Sequence, residues 1–374
     1  MARNDLVGQS VPRIESLAQV TGTLQFATDL TMPGMLWAGT LRSPHARARV
    51  LRIKTDRARA HPGVEAVVTA ADIQGTNRHG YVRQDQAVLV GVGECALMVG
   101  DPVAAVAGTS KEAVAEALAL IEVEYEKLPG VFTPQEALAP GAPQLHDDAP
   151  GNLVSQYSFE RGDVDKAFSE ADVIVECSIA LPRQEHAYLE VEGGLATIDR
   201  QGDITLYAPT QRPVYTRSAL CSALGIPEQR VQIVSQATGG GFGGKADLTI
   251  HALLALLTLK TGKPVKLVWS REESFMMHPK RHPFWAKGRL AATRDGMFTG
   301  LELDFISDAG AYASHSLIVL IAACSYQPGP YDIANLRITG RSAYTDNPIS
   351  GPFRGYGQPQ GVMALESLVE WMAD

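Results

Sequence analysis

The residues best suited to chemistry lie in TGGGFGGKAD, residues 238–247, where Gly239, Gly240, Gly241, Gly243 and Gly244 enclose Phe242 and lead to Lys245. The stretch satisfies two phosphate-binding patterns at once, GxGxxG from Gly239 to Gly244 and GxxxxGK through Lys245. Glycines at such spacing let backbone N–H groups approach an anion. VQIVSQ ahead reads as a strand and DLTIHALLALL behind as a helix. The triphosphate reading fails one residue on: Ala246 stands where a Ser or Thr would hold Mg²⁺. The dinucleotide reading lacks its acidic ribose partner, because residues 260–268 (KTGKPVKLV) carry no carboxylate and Glu272 and Glu273 come too late. A tight turn that lets a helix pack closely would use the same glycines without any ligand. Phe242 fits neither pattern, and a bulky aromatic among five glycines is placed to touch something.

A second segment, GPFRGYGQPQ at 351–360, repeats that grammar. Arg354 between glycines suits a phosphate, carboxylate or oxo ligand, and Tyr356 offers a flat face for stacking. Its alternative is a turn carrying a surface arginine. His278 and His282 in HPKRHP have helical metal-pair spacing, but Pro279 and Pro283 prevent that helix and HExxH is absent, which argues against zinc. His186 beside Glu185 reads as structural. No GxSxG elbow is present, and no serine or cysteine carries a nucleophile signature.

These residues must be positioned by a mixture of strands and helices. Residues 35–55 and 64–69 alternate as strands, DPVAAVAGTS reads as another, and KEAVAEALALIEVEY as an amphipathic helix, together a small α+β module over 1–135. Between Tyr125 and Leu153 five prolines break any period, and a linker is placed at 136–152. Residues 153–374 form a larger domain. There ADVIVECSIALP, GGLATID, DITLYAP, RVQIVSQA, KPVKLVWS and GMFTGLELDFISDAG read as strands, TRSALCSALG, DLTIHALLALLTLKTG and the terminal GVMALESLVEWMAD as helices. That last run ends without a cap, which suggests that the domain continues elsewhere.

Composition narrows the class. At 374 residues with 45% hydrophobic and 20% charged residues the chain is globular, and its net charge of −8 argues against nucleic acid as a partner. MARNDLVGQSVPR has no apolar run of a leader, and the longest apolar stretches, 251–259 and 317–324, are too short to span a bilayer, so the expected location is cytoplasmic with no membrane. Cys95, Cys177, Cys221 and Cys324 show no CxxC spacing and read as small hydrophobes, so any redox cluster belongs to another chain.

Taken together, TGGGFGGK, GPFRGYGQPQ, the opening VPRIESLAQVTG with LRSPHARA, and LPRQEHAYLEVEGG resemble the molybdenum hydroxylases, the xanthine dehydrogenase and aldehyde oxidase family. The resemblance implies a mixed α/β (α+β) fold: a hammerhead-like domain at 1–135, then the first molybdopterin-binding domain at 153–374, with the second such domain missing. It implies a molybdenum–molybdopterin cofactor, in a dinucleotide form, with 2Fe-2S and FAD on partner chains. Gln211 then corresponds to a glutamine that hydrogen-bonds an oxo ligand, Gly241, Phe242 and Gly243 to a loop packed against the metal's ligands, and Arg354 to an arginine donating to the cofactor. The implied reaction hydroxylates an electron-poor carbon with oxygen from water, and electrons leave through an iron–sulfur subunit and a flavin subunit. The glutamate base of the family belongs to the later domain, and Glu185, Glu190 and Glu192 are not assigned that role. Xanthine-oxidising members carry Glu where this chain has Ala246, and an arginine where a gap-free count from Arg354 reaches Ala322. Losing both anchors would leave purine heteroatoms unpaired, at about 1–3 kcal/mol each, which favours an aldehyde or a less polar N-heteroaromatic stacked on Tyr356. Gly355 stands where carbon monoxide dehydrogenases carry a copper-binding cysteine. The other classes open to this sequence are a nucleotide binder using 239–245 and an inactive scaffold of the same fold.

Overall fold

PVAAVAG at Pro102–Gly108 is apolar at every side chain that it has, and every residue of it is buried, between antiparallel Leu36–Arg42 and Val64–Thr69. On its other edge Leu36–Arg42 pairs in parallel with Val265–Val268, Leu36 facing Val265. Through that pairing the sheet continues into Gly193–Ile198, Ile204–Tyr207 and Val231–Val234, seven strands in all. One sheet therefore joins residues from both sides of the proline-rich stretch. This computed structural model describes residues 7–374; residues 1–6, which include the basic start of the expected leader-free terminus, lie outside the described residues.

Two helices pack on this sheet. His251–Thr261 is apolar almost all round and correspondingly buried, with Leu254 and Leu257 fully inside the main core, each contributing roughly 1.5–3 kcal/mol. It stops at Gly262, whose φ of 65° supplies the left-handed cap. Pro213–Leu224 opens with proline in its first turn, where no N–H is needed, and stops at Gly225 in the same way.

A second sheet runs Val173–Leu181, Phe284–Ala292, Phe298–Gly310, Asn335–Tyr344, Leu153–Arg161. Phe298–Gly310 and Asn335–Tyr344 are parallel and the other pairs antiparallel, so the architecture is the mixed α/β kind expected. Helices Ser316–Ser325 and Gln358–Ala373 pack on it through Leu320, Leu365 and Leu368 against Leu303 and Phe305.

Several elements differ from expectation. The helix expected through Tyr125 ends at Ala119, because EVEYEK alternates with period two and pairs as strand Glu122–Lys127 with Ala48–Lys54. The proline-rich stretch is packed: Thr133 caps a short helix Pro134–Ala137, and Asp346 accepts the Val131 N–H at 2.7 Å. Leu153–Arg161, Phe284–Ala292 and Asn335–Tyr344 are strands that the sequence reading did not mark. Among the described residues no helix is long and apolar enough to cross a membrane.

Candidate cofactor site

The glycine loop leaves strand Val231–Val234, but no helix receives it until His251, so the expected strand–turn–helix is not formed. Instead the chain folds on itself, with Gly244 N–H donating to Gly241 O at 2.7 Å and Ala246 N–H to Gly243 O at 3.1 Å. Gln211, just ahead of helix Pro213–Leu224, stitches the turn together. Its Oε1 accepts from Gly243 N at 3.0 Å and Lys245 N at 3.3 Å, and its own backbone N–H donates to Lys245 O at 3.0 Å.

An anion already sits in one half of this loop, and it is the protein's own. Glu190 Oε2 accepts from Gly239 N at 2.7 Å and from Lys245 Nζ at 2.8 Å, and both side chains are buried. Burial pushes the Lys245 pKa down while Glu190 pushes it back up. The lysine of the GxxxxGK pattern is thus committed, which removes the cation that a triphosphate site requires.

The other half is left open. Phe242 holds a φ of 50° and is 49% exposed. Its carbonyl accepts from Arg354 N at 2.9 Å, which joins the two glycine segments directly. Gly243 has φ 111°, and a Cβ there would stand 2.5 Å from Pro352 O; one on Gly241 would stand 2.9 Å from Gln211 Oε1. Only glycine allows that approach. The Gln211 amide NH₂, the Gly241 and Phe242 N–H groups and the exposed Arg354 guanidinium have no partner among the described residues. Gln211, Gly241, Phe242, Gly243 and Arg354 are brought together, across sequence separations no local pattern could bridge.

Behind Pro352 lies a buried charged layer. His186 Nε2 donates to Pro352 O at 2.7 Å, His278 donates from Nδ1 to Ser274 O, and Glu185 meets His278 Nε2 at 2.5 Å and Lys280 Nζ at 2.9 Å. Burial would raise Glu185, but His278 and Lys280 outweigh it and hold the carboxyl at about 2. Burial lowers His186 to about 4, so its ring is neutral near pH 7. Tyr188 hydrogen-bonds Glu192. Glu185, Glu190 and Glu192 are each engaged in fixed pairs. The HPKRHP prolines do keep that segment extended, and His282 bonds Ser316 Oγ at 2.7 Å, away from Glu185. Glu185, His186 and His278 nonetheless come within 4.8 Å of one another in ligand atoms, a grouping hidden in the sequence by its long-range contact.

Of the substrate-side residues, Tyr356 is half-buried with φ 52°. Ala322 lies half-buried on helix Ser316–Ser325, whose Ala323 N would be 3.1 Å from a Cβ on Gly357. Ala246 is buried beneath the loop. Sequence reasoning missed the neighbours of Gln211: Arg212 Cζ lies 3.7 Å over Tyr81, contributed by the amino-terminal segment, and Arg212 Nη1 is 2.6 Å from His315 Nε2. It also missed Arg281, whose guanidinium lies 3.9 Å over Phe353 and donates to Arg354 O at 2.9 Å. Single residues of this kind leave no spacing signal.

The open half presents amide, guanidinium and backbone donors, a donor set that fits an anionic, oxygen-bearing group held between two glycine turns. The fold and this rim thus define a cofactor-binding protein of mixed α/β class. The description "Molybdopterin cofactor-binding domain" matches residues 145–374, and "Aldehyde oxidase and xanthine dehydrogenase, a/b hammerhead domain" matches 21–129. The chain belongs to the molybdenum hydroxylase family, as an oxidoreductase subunit of the catalytic, molybdopterin-binding kind. It is 39% identical over 368 residues to the nicotinate dehydrogenase large molybdopterin subunit of Eubacterium barkeri, covering 98% of this chain and 86% of that one. It is 33% identical over 367 residues to the xanthine dehydrogenase molybdenum-binding subunit of Escherichia coli O157:H7, covering 96% of this chain but 48% of that one. Among solved structures, aldehyde oxidoreductase from Desulfovibrio gigas superposes with a TM-score of 0.91 at 28% identity, over 97% of this chain and 41% of that one. Quinoline 2-oxidoreductase from Pseudomonas putida 86 gives 0.89 at 30%, over 98% and 48%. The chain spans about half the length of the Escherichia relative and of the quinoline enzyme.

Proposed function

We propose that this chain forms one side of the active site of a molybdenum-dependent hydroxylase acting on an aldehyde or an N-heteroaromatic. The observation that carries this reading is the convergence of Gln211, Phe242 and Arg354 on one rim of unpartnered donors. When bound, the molybdenum–molybdopterin group, in a dinucleotide form, supplies the redox chemistry and activates water as a nucleophile near neutral pH. The chain's own residues orient and stabilise. Gln211 presents its NH₂ because Gly243 and Lys245 hold its carbonyl; Arg354 would offer a fork to the cofactor's oxygens, and Phe242, held at positive φ, would pack against the group. Tyr356 offers a stacking face, and Ala246 and Ala322 supply no polar anchor, which disfavours xanthine.

Electrons leave through a 2Fe-2S subunit and a flavin subunit, and the remaining cofactor domain with its glutamate base lies outside residues 1–374; the half-length coverage of several relatives supports that division. The test is to purify the chain with and without the chain that supplies the second domain, and to follow substrate-dependent dye reduction with aldehydes, N-heteroaromatics and xanthine. Turnover of the first two classes only by the pair is expected. Full activity from the isolated chain would refute the divided site, and turnover of xanthine would refute the substrate assignment.

A further inference from the structure

Arg212 follows Gln211 directly and is half-buried, yet no carboxylate among the described residues pairs with its guanidinium. It is held instead by aromatic rings: Cζ stands 3.7 Å over Tyr81 and 5.3 Å from the Tyr215 ring. His315 fixes one end, its Nε2 accepting from Arg212 Nη1 at 2.6 Å while its ring stacks on Tyr81 at 4.3 Å. For Nε2 to accept, the ring proton must sit on Nδ1, which hydrogen-bonds Ser314 Oγ at 3.2 Å and stands 3.2 Å from Asp247 Oδ1. Asp247 is thereby tied to His315 and to the Ser314 hydroxyl, on the opposite side of the imidazole from Arg212. Two donors are left over. One is the remainder of the Arg212 fork, and the other is the Tyr215 hydroxyl, a buried oxygen with no hydrogen-bond partner. Burial raises the Tyr215 pKa well above its ordinary value, so the phenol remains a donor at neutral pH. The His315 ring in turn stands 6.0 Å from Tyr356, edge to face.

A half-buried guanidinium beside a buried, unpartnered hydroxyl, walled by aromatic rings, is the chemistry that recognises a carboxylate carried on a flat ring. From this we infer that Arg212 and Tyr215 form an anion subsite of the substrate pocket, and that the substrate is an aromatic or heteroaromatic carboxylate. The inference rests on the reading of Gln211 and Arg354 as the cofactor's rim, which places Tyr356 and Arg212 on the substrate's side of it. Tyr81 makes the amino-terminal segment part of the subsite, and the Val82 N–H to Ser314 O bond of 3.3 Å seats that segment there. Arg212 then acts on binding and orientation, not on the bond-making step.

The experiment compares a pyridine carboxylate with its carboxamide on the cofactor-loaded complex. It measures Kd by calorimetry and the acid-to-amide ratio of kcat/KM, for the wild type, Arg212→Leu, Arg212→Lys and Tyr215→Phe. The wild type is expected to prefer the acid. Arg212→Leu should lower the acid-to-amide ratio by about 10- to 100-fold, with the loss in KM and Kd more than in kcat. Arg212→Lys should retain part of the preference, and Tyr215→Phe, which keeps the ring packing, should lose part of it. Equal binding of acid and amide by the wild type, or equal losses for both ligands in Arg212→Leu and Tyr215→Phe, would overturn the subsite. If no carbon of either ligand is hydroxylated, the proposed reaction fails, while the calorimetric ratio still decides the subsite.

Discussion

The two halves of the 239–245 loop, ten ångströms of chain or less apart by about 3.3–3.6 Å per residue, are built on opposite principles. In the Glu190 half the lysine and the first glycine are committed inside the protein: Gly239 N–H and Lys245 Nζ both end on one buried carboxylate. In the Phe242 half the acceptors are used up in holding shape, since Gln211 Oε1 and Phe242 O take backbone N–H groups, while the donors are left outward. A closed charge pair fixes the loop, and an open donor rim faces outward beside it. The difference teaches why a phosphate-loop pattern can be present and not bind phosphate: its lysine is part of the foundation.

The sharpest way to break this contrast is on the closed side. Lys245→Met leaves the Glu190 carboxylate buried with one amide donor, and should lower unfolding free energy by about 3–5 kcal/mol in denaturant melts; adding Glu190→Leu should restore most of it. On the open side, Gln211→Glu keeps an acceptor for Gly243 and Lys245 but replaces the outward NH₂ by negative charge. Turnover of the loaded complex should drop about 100- to 1,000-fold while the melting temperature stays near wild type. A loss of stability comparable to that of Lys245→Met would erase the distinction between the halves.

Acid should destabilise the fold through its buried histidines. His79, His186 and His251 are held by burial at about 4 and His282 at about 3, below the ordinary 6.5. Between pH 6.5 and 4 the unfolded chain therefore binds protons that the folded chain does not, and stability present at higher pH is lost as pH falls. Asp101 and Asp346, raised by burial to about 6 from 3.8, act in the opposite sense over much of that window. Asp85 is also raised by burial, and four such histidines against three carboxylates still leave a net loss on acidification, about 1.4 kcal/mol per unbalanced proton per pH unit, visible in melts taken from pH 7 to 5. The smallest effect belongs to Arg354→Leu, an exposed side chain with no internal partner: stability should change by no more than about 0.5 kcal/mol while cofactor content falls.

Much of the site was legible because glycine is legible. Gly241 and Gly243 stand where any Cβ would meet Gln211 Oε1 or Pro352 O, and such contacts leave a mark in the sequence that needs no partner to be read. Gln211 itself leaves none; it was reached only through the family resemblance, and the geometry explains its place by contacts 32 and 34 residues away. Lys245 was misleading on its own, since Glu190, 55 residues earlier, carries no spacing signal. Helix His251–Thr261 was evident from its apolar run, whereas Glu122–Lys127 was absorbed into the preceding helix because a charged strand on a half-exposed sheet resembles a helix's polar face. The sheet that joins Leu36–Arg42 to Val265–Val268 is a pairing over more than two hundred residues, and no local period encodes it.

The most direct test of the open rim is molybdenum content. The chain should be produced, with the partner proposed to complete the cofactor domain, in a host that makes molybdopterin, and metal per protein measured for the wild type and for Gly243→Val, with circular dichroism to confirm that both fold. The rim account expects near-stoichiometric molybdenum in the wild type and almost none in Gly243→Val, whose side chain would drive the loop off Pro352 O. Equal molybdenum in the two folded proteins, or none in either, would contradict it.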